Sequence, residues 1–276
     1  MSPAETREAE SRWALPTALA SFLAVVLVLG SSFLNEVSGT GNAEILRSVH
    51  AHGSSVTLVS LVQALAFLLL ILPLVYLFRA VRARSPRVRP QLLGLIVAAP
   101  LFIALSTGLS GFSRQEAADQ FVAGEAKSTL SRQEAKERCE SEEGAKAKGA
   151  CERDETEDEE ASNAIGEASL TPLVTGLGLA GALGLVVVFL YCGLWGLRTG
   201  ILTRFWGSLG MGLGIVILLG LLPLALVWFI YFGLLVLGKL PGGRPPAWEA
   251  GEAVPWPTPG EKAAAELEPS DGPKAP

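Results

Sequence analysis

Two thiols, two imidazoles and a run of carboxylates are the side chains whose type and spacing first suggest chemistry in this sequence. Cys139 and Cys151 flank a glycine-bearing stretch, 144–149, that reads as a chain reversal. Across such a turn, in an oxidising compartment, the two thiols join as a disulfide, and closing so short a loop contributes about 3 kcal/mol in the chain-entropy account. Zinc is the weaker reading, because neither Cys has a second Cys or His at ligand spacing. His50 and His52 offer imidazoles that bind metals and titrate near neutrality. They stand at i and i+2, however, where helical side chains diverge, and no carboxylate or thiol accompanies them at ligand spacing. The expectation is two interfacial histidines entering a helix, with no metal site. The carboxylates of 154–160 lack the Asp-x-Asp-x-Asp-Gly pattern of a calcium loop, so a solvated, self-repelling run is expected. No cofactor is implied.

The elements that must position these groups are set by hydropathy. Half the residues are apolar, mean hydropathy is +0.41 and only 18% are charged, which is a membrane composition. The charges are segregated. Residues 113–169 carry 8 Lys and Arg against 16 Asp and Glu, a local net of −8 within an overall −5. No Lys/Arg-rich face remains that could follow a phosphate backbone, which argues against a nucleic-acid partner and leaves the lipid bilayer as the partner composition implies.

Apolar runs at 13–34, 56–78, 91–109 and 173–195 each match the roughly 20 helical residues that cross a hydrocarbon core. The first is too long for a signal-peptide core and is read as a retained helix. The stretch 205–240 is too long for one perpendicular span and barely enough for two, so six spans are expected, with five as the alternative. Orientation comes from 79–89, a linker with Arg79, Arg82, Arg84, Arg87 and Arg89 and no acid. Such loops stay cytoplasmic, which puts 113–169 outside, and Lys239 and Arg244 then favour a cytoplasmic C-terminus. The fold class expected is an all-α transmembrane bundle with an acidic, helical, extracytoplasmic insertion. In chain order this gives a cytoplasmic start at 1–12, spans 1–3 within 13–112, the insertion at 113–169, spans 4–6 within 170–240 and a disordered Pro-rich tail at 241–276.

Finer expectations follow. Residues 35–53 read as a polar loop. Pro73 should kink the second span. Gly176, Ala180 and Gly184 fall at i, i+4 and i+8, a small-residue seam for helix packing. Ser113-Arg114-Gln115-Glu116-Ala117 recurs as Ser131-Arg132-Gln133-Glu134-Ala135, each copy a capping-box pattern; the 18-residue offset puts both copies on one face of a continuous helix, or alternatively each Ser starts its own helix. Cys192 is core filler.

The segments 202–210, Leu-Thr-Arg-Phe-Trp-Gly-Ser-Leu-Gly, and 241–252, Pro-Gly-Gly-Arg-Pro-Pro-Ala-Trp-Glu-Ala-Gly-Glu, resemble stretches of uncharacterised multi-spanning membrane proteins of high-GC actinobacteria. The resemblance implies a bacterial inner (plasma) membrane location and brings no catalytic residues. Enzyme chemistry lacks its materials: there is no His-Glu-x-x-His, no phosphate loop, and no ionisable residue deep in a span. The expected role is a structural or interaction scaffold, with the acidic insertion as the surface for a protein partner. The alternative is a transporter or channel for a small neutral or apolar molecule, lined by Gln63, Ser106 and Thr107.

Overall fold

The structure, a computed structural model, describes residues 2–139, 145–218 and 222–257. Every regular element among them is an α-helix. Helix α1, Pro3–Phe33, starts earlier than the sequence suggested, because Ser2 and Glu5 form a complete capping box and Pro3 occupies the first turn. The expected frayed start at 1–12 is thus the first three turns of a helix. The expected polar loop likewise holds α2, Asn42–Ala51, which buries Ala43, Leu46 and Val49 along one side.

The second apolar run forms α3, Gly53–Leu69, and α4, Ile71–Arg84, with the break at Leu70. Pro73 lacks the N–H that the Leu69 carbonyl needs, and its ring crowds that carbonyl, so the break lies just ahead of the proline. Arg79, Arg82 and Arg84 belong to the end of α4 rather than to a linker, leaving only Arg87 and Arg89 in the short connection. Helix α5, Leu92–Val122, runs straight on from the third apolar stretch into the acidic region. Then come α6, Arg132–Arg138, α7, Ala145–Glu167, and α8, Thr171–Thr199. Gly149 lies inside α7, so the reversal between the two cysteines does not reach it. Two shorter helices, α9, Arg204–Leu218, and α10, Leu222–Leu237, precede the single turn α11, Pro246–Ala250.

Among the described residues, four helical units are long and apolar enough to cross a membrane: α1, α3 with α4, α5 and α8. Helices α9 and α10 are shorter; at 15 residues, α9 spans about 22 Å against a hydrocarbon core of roughly 30 Å. The helices form a ring in which α1 packs on α3, α3 on α5, α5 on α8, α8 on α9 and α10 back on α1, with α9 touching α10. The α4 half-helix fills one end of the ring, where Leu74, Leu77 and Phe78 meet Phe189, Trp228, Phe232 and Leu235. Outside, exposed Leu15, Leu19, Leu23 and Val26 of α1, and Leu179, Leu183, Val187, Leu190 and Leu194 of α8, form apolar stripes at helical spacing. Such continuous stripes require an apolar surrounding.

The expected glycine seam is displaced. Gly176 and Ala180 are exposed, and a Cβ at Gly176 would meet nothing within 4 Å. Contact with α5 runs instead through Gly178, Gly181 and Gly184, where added Cβ atoms would lie 2.9 Å from Ser106 Oγ, 2.6 Å from Ile103 Cγ1 and 2.7 Å from Ala99 Cβ. Three glycines spaced by three compete with the four-residue pattern, and the neighbouring helix selects between them. Cys192 is buried, as expected of a core residue.

Candidate functional site

The acidic region is built on a second core made chiefly of alanine. Ala161 and Ala164 of α7, with Ala168 just beyond its end, meet Ala43, Leu46 and Val49 of α2 and Ala117 and Ala118 of α5. Small side chains allow the three backbones to approach closely, so modest burial is combined with many polar contacts across the seams.

The carboxylates of α7 supply those contacts, and the expected solvated run is in large part a docked face. Helix α2 begins at Gly41, which has no side chain to cap its own first turn. Asp158 does the capping from α7: its carboxylate accepts the Ala43 N–H at 2.9 Å, and a Cβ at Gly41 would lie 2.6 Å from both carboxylate oxygens. An anion at a helix N-terminus satisfies an orphan donor and opposes the helix dipole. Glu157 pairs with Arg47, which also lies over the Phe121 ring at 5.6 Å. Arg138 donates to Glu155 at 3.1 Å. Glu159 accepts from Thr129 at 2.6 Å and Ser128 at 2.9 Å, and the Thr129 hydroxyl foremost holds its carboxyl below the ordinary range.

The two pentapeptide copies part company here. Ser131 begins α6 with both capping-box bonds formed, and its backbone N–H holds the Glu134 carboxyl low. Ser113 lies inside α5 and caps nothing; its hydroxyl is 3.0 Å from Thr171 Oγ1. Glu116 is free to reach across to the start of α8, where it accepts the Ser169 N–H at 3.1 Å and hydroxyl at 2.8 Å.

Cys139 and Cys151 are joined, with Cα atoms 5.9 Å apart and a sequence separation of 12. The bond ties α6 to α7; residues 140–144 lie outside the described residues. His50 Nδ1 is 2.8 Å from Asp119, whereas His52 Nε2 is 3.8 Å from Glu36. The two rings serve different partners, and no cluster of three or more metal-ligating groups occurs among the described residues.

At the other end of the ring lies a buried charge pair absent from the sequence expectation. Arg84, with its side chain fully buried, binds both carboxylate oxygens of Glu10 and donates through Nε and Nη2 to the Ala247 carbonyl at 3.0 and 2.9 Å. The tail is therefore ordered as far as it is described. Trp248 is buried, stacks on Tyr76 with centroids 6.0 Å apart and donates to the Ile201 carbonyl at 2.9 Å. Trp256 donates to Leu202 at 2.9 Å, and Val254 N–H to Thr199 at 3.1 Å. Gly200 makes that approach possible: it ends α8 at φ 74°, and any side chain there would strike the Val254 carbonyl. Arg244 caps the C-terminal carbonyls of α10 at Leu235 and Val236. Of the expected disordered tail, only 258–276 lies outside the described residues.

The sequence carried signals for some of this. Ala161, Ala164, Ile165 and Ala168 recur at helical spacing beside the charge run, which marks α7 as amphipathic. Nothing local connected Arg84 to Glu10, 74 positions away. No family model, curated protein or solved structure matches the chain.

Proposed function

We propose that the chain is an integral membrane scaffold of the bacterial inner membrane, akin to the multi-spanning actinobacterial proteins it resembles. Its basic end, with Arg79, Arg82, Arg87 and Arg89, lies in the cytoplasm, and its acidic end presents α2, α6 and α7 outside to a protein partner. The carrying observation is the docking of α7: Asp158, Glu157 and Glu159 fix it to α2 and to residues 128–129. Exposed Asp154, Glu137 and Glu167 are then offered to solvent from a fixed frame. Helices α9 and α10 complete the six spans as short, packed elements.

A transport role has less support. Surface openings of about 510, 610 and 700 Å³ lie around Asp119, between α1 and α4, and at Arg87–Arg89, and Gln63, Ser106 and Thr107 line none of the three. Ser106 is spent on a 2.7 Å bond to the Val174 carbonyl, joining α5 to α8. A photo-crosslinking residue at exposed Ser162 is expected to capture one partner from intact cells, and Asp154→Asn with Glu167→Gln to weaken that capture. Impermeant thiol labelling is expected to reach Ser162→Cys and not Arg87→Cys; the reverse would overturn the orientation.

A further inference from the structure

Helices α1 and α4 are in contact toward the basic end, and between them lies an opening of about 610 Å³. That volume is within the range of small-ligand clefts. One wall is the α4 stripe Leu72, Val75, Arg79 and Arg82, and the other is the α1 stripe that includes Trp13 and Thr17. Both stripes follow helical spacing, so each wall is a single helix face. The walls grade from apolar to basic. Leu72 and Val75 lie a turn or more before Arg79 along α4, while Arg79 and Arg82 are exposed at the rim.

The two arginines have no ion pair among the described residues. Glu10, the one carboxylate lining the cleft, is held on both oxygens by Arg84, so the cleft keeps a net cationic rim. Beneath the cleft, the Thr17 hydroxyl, on a residue with 0% exposure, has no hydrogen-bond partner among the described residues. Trp13, one turn earlier in α1, is about half exposed, and its amphipathic ring is of the kind enriched where hydrocarbon meets headgroups.

We propose that this cleft binds an anionic phospholipid, its phosphate between the guanidinium groups of Arg79 and Arg82 and the start of one acyl chain along Leu72, Val75 and Trp13. The chemistry required is an anion on an apolar stem. A free phosphate would leave the apolar wall wet, and a zwitterionic lipid would set its own cation against the arginines. Basic pockets between helices at a cytoplasmic membrane face are suited to such headgroups. The inference rests on α1 and α4 being embedded in the membrane as proposed above.

The test uses the full chain, delipidated in detergent and titrated with phosphatidylglycerol or phosphatidylcholine of identical acyl chains, with retained lipids counted by native mass spectrometry. Two arginines, each giving roughly a fivefold gain at an anionic surface, predict a preference of about 25-fold for phosphatidylglycerol. Arg79→Gln with Arg82→Gln should remove most of that preference, and the corresponding lysine pair should keep it. Val75→Trp, which fills the cleft and keeps both arginines, should also abolish tight binding, so the result does not depend on one variant folding. Equal binding of the two lipids, a preference unchanged by the glutamines, or displacement of the lipid by equimolar inorganic phosphate would overturn the proposal. Carbonate extraction of native membranes separates the two readings. A chain released into the supernatant defeats the membrane assignment, whereas an integral chain with no lipid preference defeats only the cleft.

Discussion

The two ends of the molecule solve the same electrostatic problem in opposite surroundings. At the basic end, one carboxylate, Glu10, meets one guanidinium, Arg84, inside an aromatic core, with side-chain exposures of 12% and 0%. At the acidic end many carboxylates meet helix termini, hydroxyls and surface arginines around an alanine core. A buried pair is held tightly because neither charge tolerates losing its partner, whereas each exposed contact contributes little and water can replace it. The basic end is therefore fixed by one indispensable interaction, and the acidic end by the sum of many dispensable ones plus a covalent tie.

The strongest way to break that contrast is Glu10→Ala, which strands the Arg84 guanidinium with only backbone carbonyls. A loss of about 3–5 kcal/mol is expected, read as a fall in the thermal midpoint in detergent. Replacing the pair together, Glu10→Leu with Arg84→Met, should recover much of the loss, and a double variant as unstable as the single one would show that the pair is not the central tie.

Next in size is the disulfide. Cys139→Ser with Cys151→Ser should cost the α6–α7 region about 3 kcal/mol by freeing a short loop in the unfolded state. Amide exchange should speed up in α6 and α7 and leave α4 and α10 unchanged. A spread of the effect to α4 would erase the distinction between the ends.

Asp158→Ala should cost about 1 kcal/mol, the scale of a lost N-cap. It should be visible as faster exchange at Ala43 and its neighbours in α2. An effect as large as that of Glu10→Ala would mean the acidic end has its own indispensable charge.

The smallest expected effect is with pH. Glu134 and Glu159 have folded-state carboxyls held below the ordinary 4.5 by hydroxyl and backbone donors. Their contribution is fully present above the unfolded value and disappears as pH falls through the lower folded value. Protease resistance of the acidic end should therefore be level from neutrality down to about pH 5 and decline below 4.5, with Glu159→Gln flattening part of that decline.

Much of the fold was legible because hydropathy over a long window is insensitive to detail. The four long apolar units and the Cys139–Cys151 pairing needed only length, composition and spacing. What escaped reading was decided by distant partners. The pentapeptide Ser-Arg-Gln-Glu-Ala starts a helix at Ser131 and rides within one at Ser113, where α5 runs on from the apolar stretch through Ser113 to the buried Ala117 and Ala118. The tail composition read as disordered, yet Trp248 and Trp256 find carbonyls at Ile201 and Leu202 that only the completed α8–α9 corner exposes. Gly176 looked like a packing residue in one helix, and its role depended on where α5 lies.

The Arg84 site has a further consequence for biosynthesis. Glu10 and Arg84 belong to the first third of the chain, while Ala247, which completes the guanidinium's bonding, is among the last residues described. Synthesis from the N-terminus makes Glu10 and Arg84 long before Ala247, so the Nε–H of Arg84 has no Ala247 carbonyl to bond until the tail exists. With α11 seated, one guanidinium joins residues from the beginning, middle and end of the described chain. A chain ended before residue 246 would keep the Glu10–Arg84 pair but lose both bonds to the Ala247 carbonyl, leaving the Nε–H of a buried guanidinium without a partner.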